Sequence, residues 1–457
     1  MDSQGRLDFE SVGGEAVSPS PSRRAHVRDS RVFRRGEEPV LDPARAGDLL
    51  PEGHPARAIR LALEKVDLAF LRESYPSQGG VPYEPGDVLG ILCLGYFLGI
   101  SGSGTLAEHV RYDVRFMHVA RGRTPDARTL RRVRSRLAPH LDELFARVVQ
   151  VCQEEGLVGK RRVAVDGTKI ASSASQLRRW TTSSERKDLE ELGLEDLSSD
   201  PEAKVMKGSG GFLLGYNAQA AVDCESGIVV AVDVTDSSAD APSMEPMAKR
   251  AVENLGSSGF EWVADAGYDS NAGVKACQKL GLSPTVAQQG HACAFWSVVD
   301  EGESIVCPMG RAAEFVREST QRGEPVKVFA VVGCPKCMFF GSCCASDSGR
   351  SLKVPLDGDP AERVLAYRHL RSPDGRSAMK ERMATVEPAF ADVKGTKGLK
   401  RFRMKGLRGA RTEWSLIHMA RNLAKLGKRL QRTLLCLLMA IKAPRNARFG
   451  HLRFTAA

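Results

Sequence analysis

The sequence predicts an α/β fold in which helices pack on a mixed sheet, with an all-α region before the sheet and a cysteine-rich insertion within it. Apolar residues recur at helical spacing from residue 54 to about residue 156. Strand-like segments begin at Arg161 and then alternate with helical ones, a pattern typical of helices packed on a sheet. Between residues 291 and 375 this alternation breaks down. We therefore treat residues 291–375 as an insertion.

Composition and charge limit the kinds of protein that this chain can be. Its 457 residues can bury one large core or two to three domains. A net charge of +10 and a pI near 9.1 indicate an anionic partner such as nucleic acid. The longest apolar runs, residues 90–100 and 434–441, are shorter than the ~20 residues of a membrane-spanning helix, and the N-terminus lacks an apolar signal-peptide core. We expect a cytoplasmic protein without membrane contact.

The all-α region contains a buried helix and a strongly basic one. Residues 90–100 are almost entirely apolar, which predicts a helix buried on all sides. Thr124, Pro125 and Asp126 resemble a helix N-cap followed by proline in the first turn. We expect them to open one long helix that extends to about residue 153.

Two aspartates follow strand-like segments. Asp166 comes directly after residues 162–165 and precedes Gly167, and Asp265 follows residues 262–264 with Gly267 close behind. The ordinary interpretation of Asp-Gly is a turn. If both strands belong to one sheet, however, the two carboxylates meet in space, where they repel each other unless a cation lies between them. Mg²⁺ accepts such ligands, and two such ions can promote an in-line displacement at a phosphodiester.

That chemistry usually needs a third acid, and Glu387 is the candidate. It lies where the helical pattern resumes, at about Arg376, after the insertion. The alternative is a surface residue of a helix, paired with Lys394. Pro388 follows directly and cannot donate a backbone hydrogen bond, so it either begins the helix or kinks it. If Glu387 is not the third ligand, Glu381 and Asp392 are the next acids to consider.

Five motifs in order resemble the DDE transposases of bacterial insertion sequences, in the branch with a helical N-terminal domain and a cysteine-bearing insertion. The resemblance extends from about residue 37 to residue 430. It implies an RNase H-like core in which Asp166, Asp265 and Glu387 are the catalytic residues and bind Mg²⁺ or Mn²⁺. It also implies cleavage of element ends by water and strand transfer by the freed 3′-hydroxyl. The motifs are VAVDGTKI, GYNAQAAVD, VDVTDSSAD, VADAGYDS and TVEPAFADVK.

The related signature Tyr-x2-Arg-x3-Glu-x6-Lys is matched in part. Glu387 and Lys394 fit its last two positions, whereas Lys380 and Met383 stand at the first two and Arg382 lies one residue off. Seven residues along a helix place Lys394 on the face of Glu387, where it could contact a DNA phosphate. A solvated lysine is the alternative. We list both Lys394 and Arg382 as DNA-binding candidates.

Two basic segments favour DNA binding over an ordinary solvated surface. Residues 394–432 carry 13 Lys or Arg against one acid, Glu413, and residues 111–136 carry nine Arg against two acids. We expect double-stranded DNA, both element ends and target, as the partner, with a homo-oligomer, a dimer, assembled on it. The further candidates for DNA contact are Arg131, Arg132, Lys400, Arg401 and Arg403.

The insertion carries cysteines at spacings that suit zinc. Cys334 and Cys337 form a CxxC pair, and Cys307 and Cys343 complete a set of four. Cys344 could replace Cys343. We predict a structural Zn²⁺ site here, and the alternative is a loop with free thiols.

Two other functions remain open. The chain could be a catalytically silent, DNA-binding remnant of a transposase, or another RNase H-like nuclease. All three acids being present argues against the remnant, and the large helical region argues against a small nuclease. The expected segments are a disordered 1–36, a helical DNA-binding domain 37–157, the first part of the catalytic core 158–290, the insertion 291–375, the last part of the core with basic helices 376–432, and a tail 433–457.

Overall fold

A computed structural model describes residues 42–75, 82–173, 200–208, 211–288, 296–299, 304–321, 324–344 and 346–442. The segment predicted to be disordered, residues 1–36, lies outside the described residues, as does the end of the predicted tail from residue 443. Among the described helices, none combines the length and apolar character needed to cross a bilayer.

The region before the sheet is helical, as predicted. Helix α4 is buried from Pro85 to Tyr96, which confirms the buried helix. The helices of this region are α1 (Pro43–Asp48), α2 (Pro55–Lys65), α3 (Ala69–Glu73), α4 (Pro85–Phe97), α5 (Ser103–Tyr112), α6 (Val114–Ala120), α7 (Ala127–Leu137) and α8 (Leu141–Glu154).

Helix α7 starts one residue later than the N-cap prediction implied. The Asp126 carboxylate accepts a hydrogen bond from the Thr129 amide at 2.6 Å, so Asp126 is the cap and Pro125 precedes it. The single long helix predicted from this point is also wrong. A short 3₁₀ segment, Ala138–His140, contains a proline and separates α7 from α8.

A mixed sheet follows, and it confirms the predicted fold class. Strand β1 lies at its centre, antiparallel to β3 and parallel to β5, which is itself parallel to β6. Strand β4 continues the antiparallel side, and β2 pairs with the far end of β3. Three antiparallel strands beside two parallel ones give the RNase H-like order. The strands and the helices between them are β1 (Arg162–Ala171), β2 (Lys204–Gly208), β3 (Gly211–Asp223), β4 (Val229–Thr235), α9 (Met244–Leu255), β5 (Glu261–Ala264), α10 (Asn271–Lys279) and β6 (Ser283–Val286).

Strand β1 does not end at its aspartate. We expected the strand to stop at Val165, but it continues to Ala171, with Asp166 opposite Ala220 and Gly167 opposite Gln219 on β3. The Asp-Gly pair therefore makes no turn, because β3 supplies a hydrogen-bonding partner along the whole strand. On the other side, β5 pairs with β1 only as far as Ala164.

The insertion forms a small unit with its own core. Strands β9, β10 and β11 make an antiparallel sheet, and β7 pairs with β8. Trp296, Leu352 and Val354 are among the buried residues of this second core. The strands are β7 (Ser297–Val299), β8 (Ser304–Val306), β9 (Ala313–Gln321), β10 (Glu324–Val331) and β11 (Ser351–Pro355).

Three helices complete the fold: α11 (Pro360–Arg371), α12 (Pro373–Ala391) and α13 (Gly406–Lys442). Helix therefore resumes before Arg376, because Asp359 and Ser372 cap helices that each begin with proline. Pro388 lies in the last turn of α12, and a π-helical turn, Asp392–Thr396, follows. Helix α13 packs on α2, α4, α8 and β4, and it runs on into the predicted tail. One continuous core thus joins the helical region to the sheet.

Candidate active site

The structure brings Asp166 and Asp265 together at one end of the sheet. Ala164 on β1 stands opposite Val263 on the parallel strand β5, so two residues further along each chain the aspartates reach the same level. The buried Arg382 of α12 contacts both. Its Nη1 lies 3.6 Å from Asp166 Oδ2, and its Nη2 lies 3.2 Å from Asp265 Oδ2.

Each aspartate is held in the same way by the glycine that follows it. The Gly167 amide donates to Asp166 Oδ1 at 2.8 Å, and the Gly267 amide donates to Asp265 Oδ1 at 2.8 Å. One oxygen of each carboxylate is thus bound to the backbone, while the other faces Arg382. This arrangement preorganises two carboxylates beside each other.

A third aspartate, which the sequence analysis did not select, packs against both glycines. A Cβ on Gly167 would lie 2.5 Å from Asp240 Oδ1, and a Cβ on Gly267 would lie 3.2 Å from Asp240 Oδ2. A side chain at either glycine would therefore collide with Asp240 or crowd it. The available signal was the VDVTDSSAD motif, whose last residue is Asp240.

The electrostatics of this end of the sheet follow from the three carboxylates. Burial raises the pKa of Asp166 to about 6, and the charges of Asp265 and Asp240 raise it further, while Arg382 opposes the rise. Burial also raises the pKa of Tyr268 well above its usual value, and the same three aspartates contribute. A divalent cation would relieve this repulsion.

The side chains present fit a divalent cation with oxygen ligands. The carboxylates of Asp166 and Asp265 are the donor type that Mg²⁺ and Mn²⁺ prefer. Asn217 is fully buried, and its Oδ1 has no hydrogen-bond partner in the described part of the chain. This oxygen lies 2.9 Å from the point where a Gly167 Cβ would be. An unpaired buried acceptor beside carboxylates is a favourable place for a cation or for water bound to one.

Glu387, the predicted third ligand, is not brought to this pair. It lies five residues after Arg382 on α12, which is about 140° further round an α-helix. Its side chain is exposed, and within the described residues its carboxylate has no hydrogen bond or ion pair. The two alternative acids are engaged elsewhere. Glu381 binds Arg161 at 2.6 Å, and Asp392 binds Arg421 at 3.2 Å.

Arg382 and Lys394 occupy positions that differ from those expected of DNA-contacting side chains. Arg382 is only 7% exposed and faces the aspartates, a position that suits charge compensation. Lys394 is half-buried in the π-helical turn. Because that turn is wider than an α-helical one, the seven-residue spacing no longer places Lys394 on the face of Glu387.

The other basic candidates are exposed at two places. Arg131 and Arg132 lie on the open face of α7. Lys400, Arg401 and Arg403 are exposed in the segment before α13. That segment meets the end of β1, where the Phe402 amide donates to the Ala171 carbonyl at 2.9 Å. Positive charge therefore lies next to the strand that carries Asp166.

The insertion cysteines do not form a closed cluster. Cys307 and Cys334 are buried, and Cys337 and Cys343 are partly exposed. In the stretches of chain that the structure describes, no three of the four sulfur atoms lie within 4.8 Å of one another. The Arg350 guanidinium donates to Cys343 Sγ at 3.1 Å. The zinc site stays a prediction.

A second group of ligand-type side chains lies at the opposite end of β5. Glu261, His369 and Asp374 have ligand atoms within 4.8 Å of one another. Arg162 forms ion pairs with both acids of this group. Its guanidinium already supplies the positive charge there, so this group differs from the pair at Asp166 and Asp265.

Two family models match the chain. Residues 306–427 match the Transposase DDE domain, and residues 44–136 match the Transposase domain DUF772. Glu387 and Arg382 lie inside the first match, whereas Asp166 and Asp265 lie between the two matched segments. No curated protein matches the chain.

Among solved structures, the chain is similar to the piggyBac transposase in a synaptic complex with hairpin DNA, determined by cryo-EM. The identity is 10% and the TM-score 0.33, over 89% of this chain and 83% of that one. A likeness at this TM-score is too weak to support a conclusion about either fold or function. The two domain matches, one in the helical region and one across the insertion and the last helices, identify the chain as a transposase of the DDE family.

Proposed function

We propose that this transposase binds double-stranded DNA at the ends of its element and catalyses metal-dependent cleavage and strand transfer. One observation supports the proposal above the others. Asp166 and Asp265 lie at the same level of neighbouring parallel strands, and one arginine contacts both. Such a pair suits cations that act on a phosphodiester.

Mg²⁺ or Mn²⁺ bound at this pair would activate the attacking oxygen and stabilise the charge that develops on the leaving oxygen. The chain's own residues keep the two carboxylates in position. The Gly167 and Gly267 amides hold one oxygen of each aspartate, and Arg382 limits their mutual repulsion. We propose Glu387 as a third ligand on the family resemblance. It would reach the pair only after part of α12 turned, and Pro388 weakens the helix there.

We propose that the exposed arginines of α7 and the basic segment before α13 hold DNA phosphates near the aspartates. Arginine suits this task because its planar guanidinium pairs with two phosphate oxygens at once. A dimer on DNA and a structural Zn²⁺ in the insertion are further parts of the proposal. Zinc content of the purified protein tests the latter, with Cys334→Ser as the variant expected to lose it.

The central test is excision of the element in cells from its own flanking DNA. We expect activity from the wild type and none from Asp166→Asn or Asp265→Asn, with expression and DNA binding retained. Asp236→Asn is the matched control, because Asp236 is exposed on a loop after β4. Activity in Glu387→Gln would remove Glu387 from the ligand set. A wild-type chain that binds DNA and never cuts it would favour the silent remnant instead.

A further inference from the structure

The loop after β4 places Asp240 beside the two aspartates of the proposed active site. Asp240 precedes a 3₁₀ turn, Ala241–Ser243, at the position of a helix N-cap. An aspartate there ordinarily accepts a hydrogen bond from the first turn. The Asp240 side chain makes no such bond and points to the sheet instead. Its carboxylate therefore serves a contact other than capping.

The two oxygens of Asp240 have different surroundings. Oδ1 accepts three hydrogen bonds, from Lys169 Nζ at 3.0 Å, Asn217 Nδ2 at 2.7 Å and Gln219 Nε2 at 3.0 Å. No hydrogen bond to Oδ2 is found within the described residues. The position that a Gly267 Cβ would take lies 3.2 Å from this oxygen and 2.9 Å from Asp265 Oδ1. Asp240 Oδ2 and Asp265 Oδ1 thus approach the same small space.

A second observation at the same place is the unpaired oxygen of Asn217. A carboxylate only accepts hydrogen bonds, so Asp240 orients the Asn217 amide nitrogen toward itself and the Oδ1 away from itself. That Oδ1 is buried without a partner in the described part of the chain, beside Gly167. Leaving a buried acceptor unpaired costs about 1–3 kcal/mol. A cation or its bound water would satisfy it.

The charge count also leaves a cation missing. Three carboxylates, those of Asp166, Asp240 and Asp265, converge here, and the side-chain cations in contact with them are Arg382 and Lys169. Lys169 neutralises the Oδ1 side of Asp240 and leaves Oδ2 available. Oxygen atoms with excess negative charge and room between two glycines suit a hard divalent ion.

We infer that Asp240 is a further carboxylate ligand of the metal site, offering Oδ2 beside Asp265. The inference rests on the proposed function, since it concerns the same metal site. Asp240 supplies an acid on the sheet side of the site, where Glu387 does not reach. Lys169, Asn217 and Gln219 hold Oδ1 and so direct Oδ2 toward the metal. Removal of the Asp240 charge should therefore weaken metal binding even when no DNA is present.

The test is Mn²⁺ binding to the purified full-length chain without DNA, followed by electron paramagnetic resonance of free Mn²⁺. We compare the wild type with Asp240→Asn, Asp265→Asn and the control Asp236→Asn. Asp240→Asn should weaken Mn²⁺ binding by roughly tenfold or more, as Asp265→Asn does, while Asp236→Asn stays near the wild type. Asparagine keeps an oxygen that can accept the three hydrogen bonds, so the variant should fold. Asp240→Ser is the second variant if its thermal unfolding shows otherwise.

The outcomes separate the inference from the proposed function. Wild-type affinity in Asp240→Asn, together with loss in Asp166→Asn and Asp265→Asn, overturns the role of Asp240 alone. A lower melting temperature of Asp240→Asn in EDTA with unchanged Mn²⁺ affinity also overturns it, since Asp240 is then structural. A wild-type chain that binds no Mn²⁺ contradicts both the inference and the proposed function.

Discussion

At the scale of single residues, Arg382 is the counter-charge of the proposed active site. It is buried, and both of its terminal nitrogens face aspartates. A buried charge is tolerated when it is paired, and here the pairing serves two carboxylates that would otherwise repel each other. Arginine can do this because its rigid guanidinium presents donors in two directions at once.

Replacing Arg382 should expose this repulsion. Without divalent cation, Arg382→Gln should lower the free energy of unfolding by about 3 kcal/mol, because two acids lose their buried partner. Mn²⁺ should restore much of the loss. Thermal unfolding in EDTA and in Mn²⁺ measures both effects. Arg376→Gln, on the exposed face of the same helix, is the control and should change little. Equal stability of Arg382→Gln and wild type in EDTA would contradict this role.

The raised pKa of Asp166 predicts a pH-dependent stability. Its ordinary pKa is 3.8 and its folded pKa is about 6, so the ionised form is disfavoured by folding. The folded state therefore loses stability as the pH rises from about 4 to 6, by up to roughly 3 kcal/mol. Asp166→Asn should melt at a higher temperature than the wild type at pH 8 in EDTA. The difference should vanish near pH 4, and a gain that is equal at both pH values would refute the explanation.

At the scale of elements, helix α13 crosses α2 where a glycine permits close contact. A Cβ on Gly427 would lie 1.9 Å from the Ala58 carbonyl oxygen. Backbone atoms cannot yield as a flexible side chain can, so the two helices would have to separate. This crossing joins the helical region to the sheet, because α13 also packs on β4.

Gly427→Ala should therefore destabilise the protein by about 1–3 kcal/mol, the usual penalty of overpacking. Gly104→Ala is the matched control, since Gly104 also lies in a helix and a Cβ there meets nothing within 4 Å. It should be neutral or slightly stabilising. Chemical denaturation of both variants gives the comparison, and a stable Gly427→Ala would show that the crossing can relax.

At the scale of the whole molecule, positive charge is placed around one end of the sheet. The net charge is +10, and exposed basic residues precede α13 next to the end of β1. Exposed arginines on α7 add a second basic surface. Such surfaces bind DNA by releasing counterions, which makes the affinity depend on salt.

Removing these charges should reduce that salt dependence. The double variant Lys400→Ala/Arg401→Ala should weaken DNA binding at all sequences, and the slope of log affinity against log salt should fall by about one for each lost phosphate contact. Lys249→Ala, an exposed lysine on α9 in an i,i+4 pair, is the control. Fluorescence anisotropy at several salt concentrations measures the slope. An unchanged slope would exclude this segment from the DNA interface.

The sequence by itself determined the fold class, the all-α region and the two strands that carry Asp166 and Asp265. Local periodicity encodes these features, because apolar residues at strand or helix spacing identify the buried face of each element. The VDVTDSSAD motif was visible as well. It did not mark Asp240 as a site residue, since its last aspartate follows a polar loop and no strand end.

Only the tertiary structure decided which side chains meet. Strand β1 passes through Asp166 because β3, some 50 residues later, pairs with it, and local sequence does not encode that pairing. Arg382 turns toward the aspartates while Glu387 faces solvent, since the packing of α12 on the sheet selects the buried face. Asp240 joins the site through a loop that returns from β4 to β1. Contacts between residues distant in sequence depend on the packed chain, so no single segment reveals them.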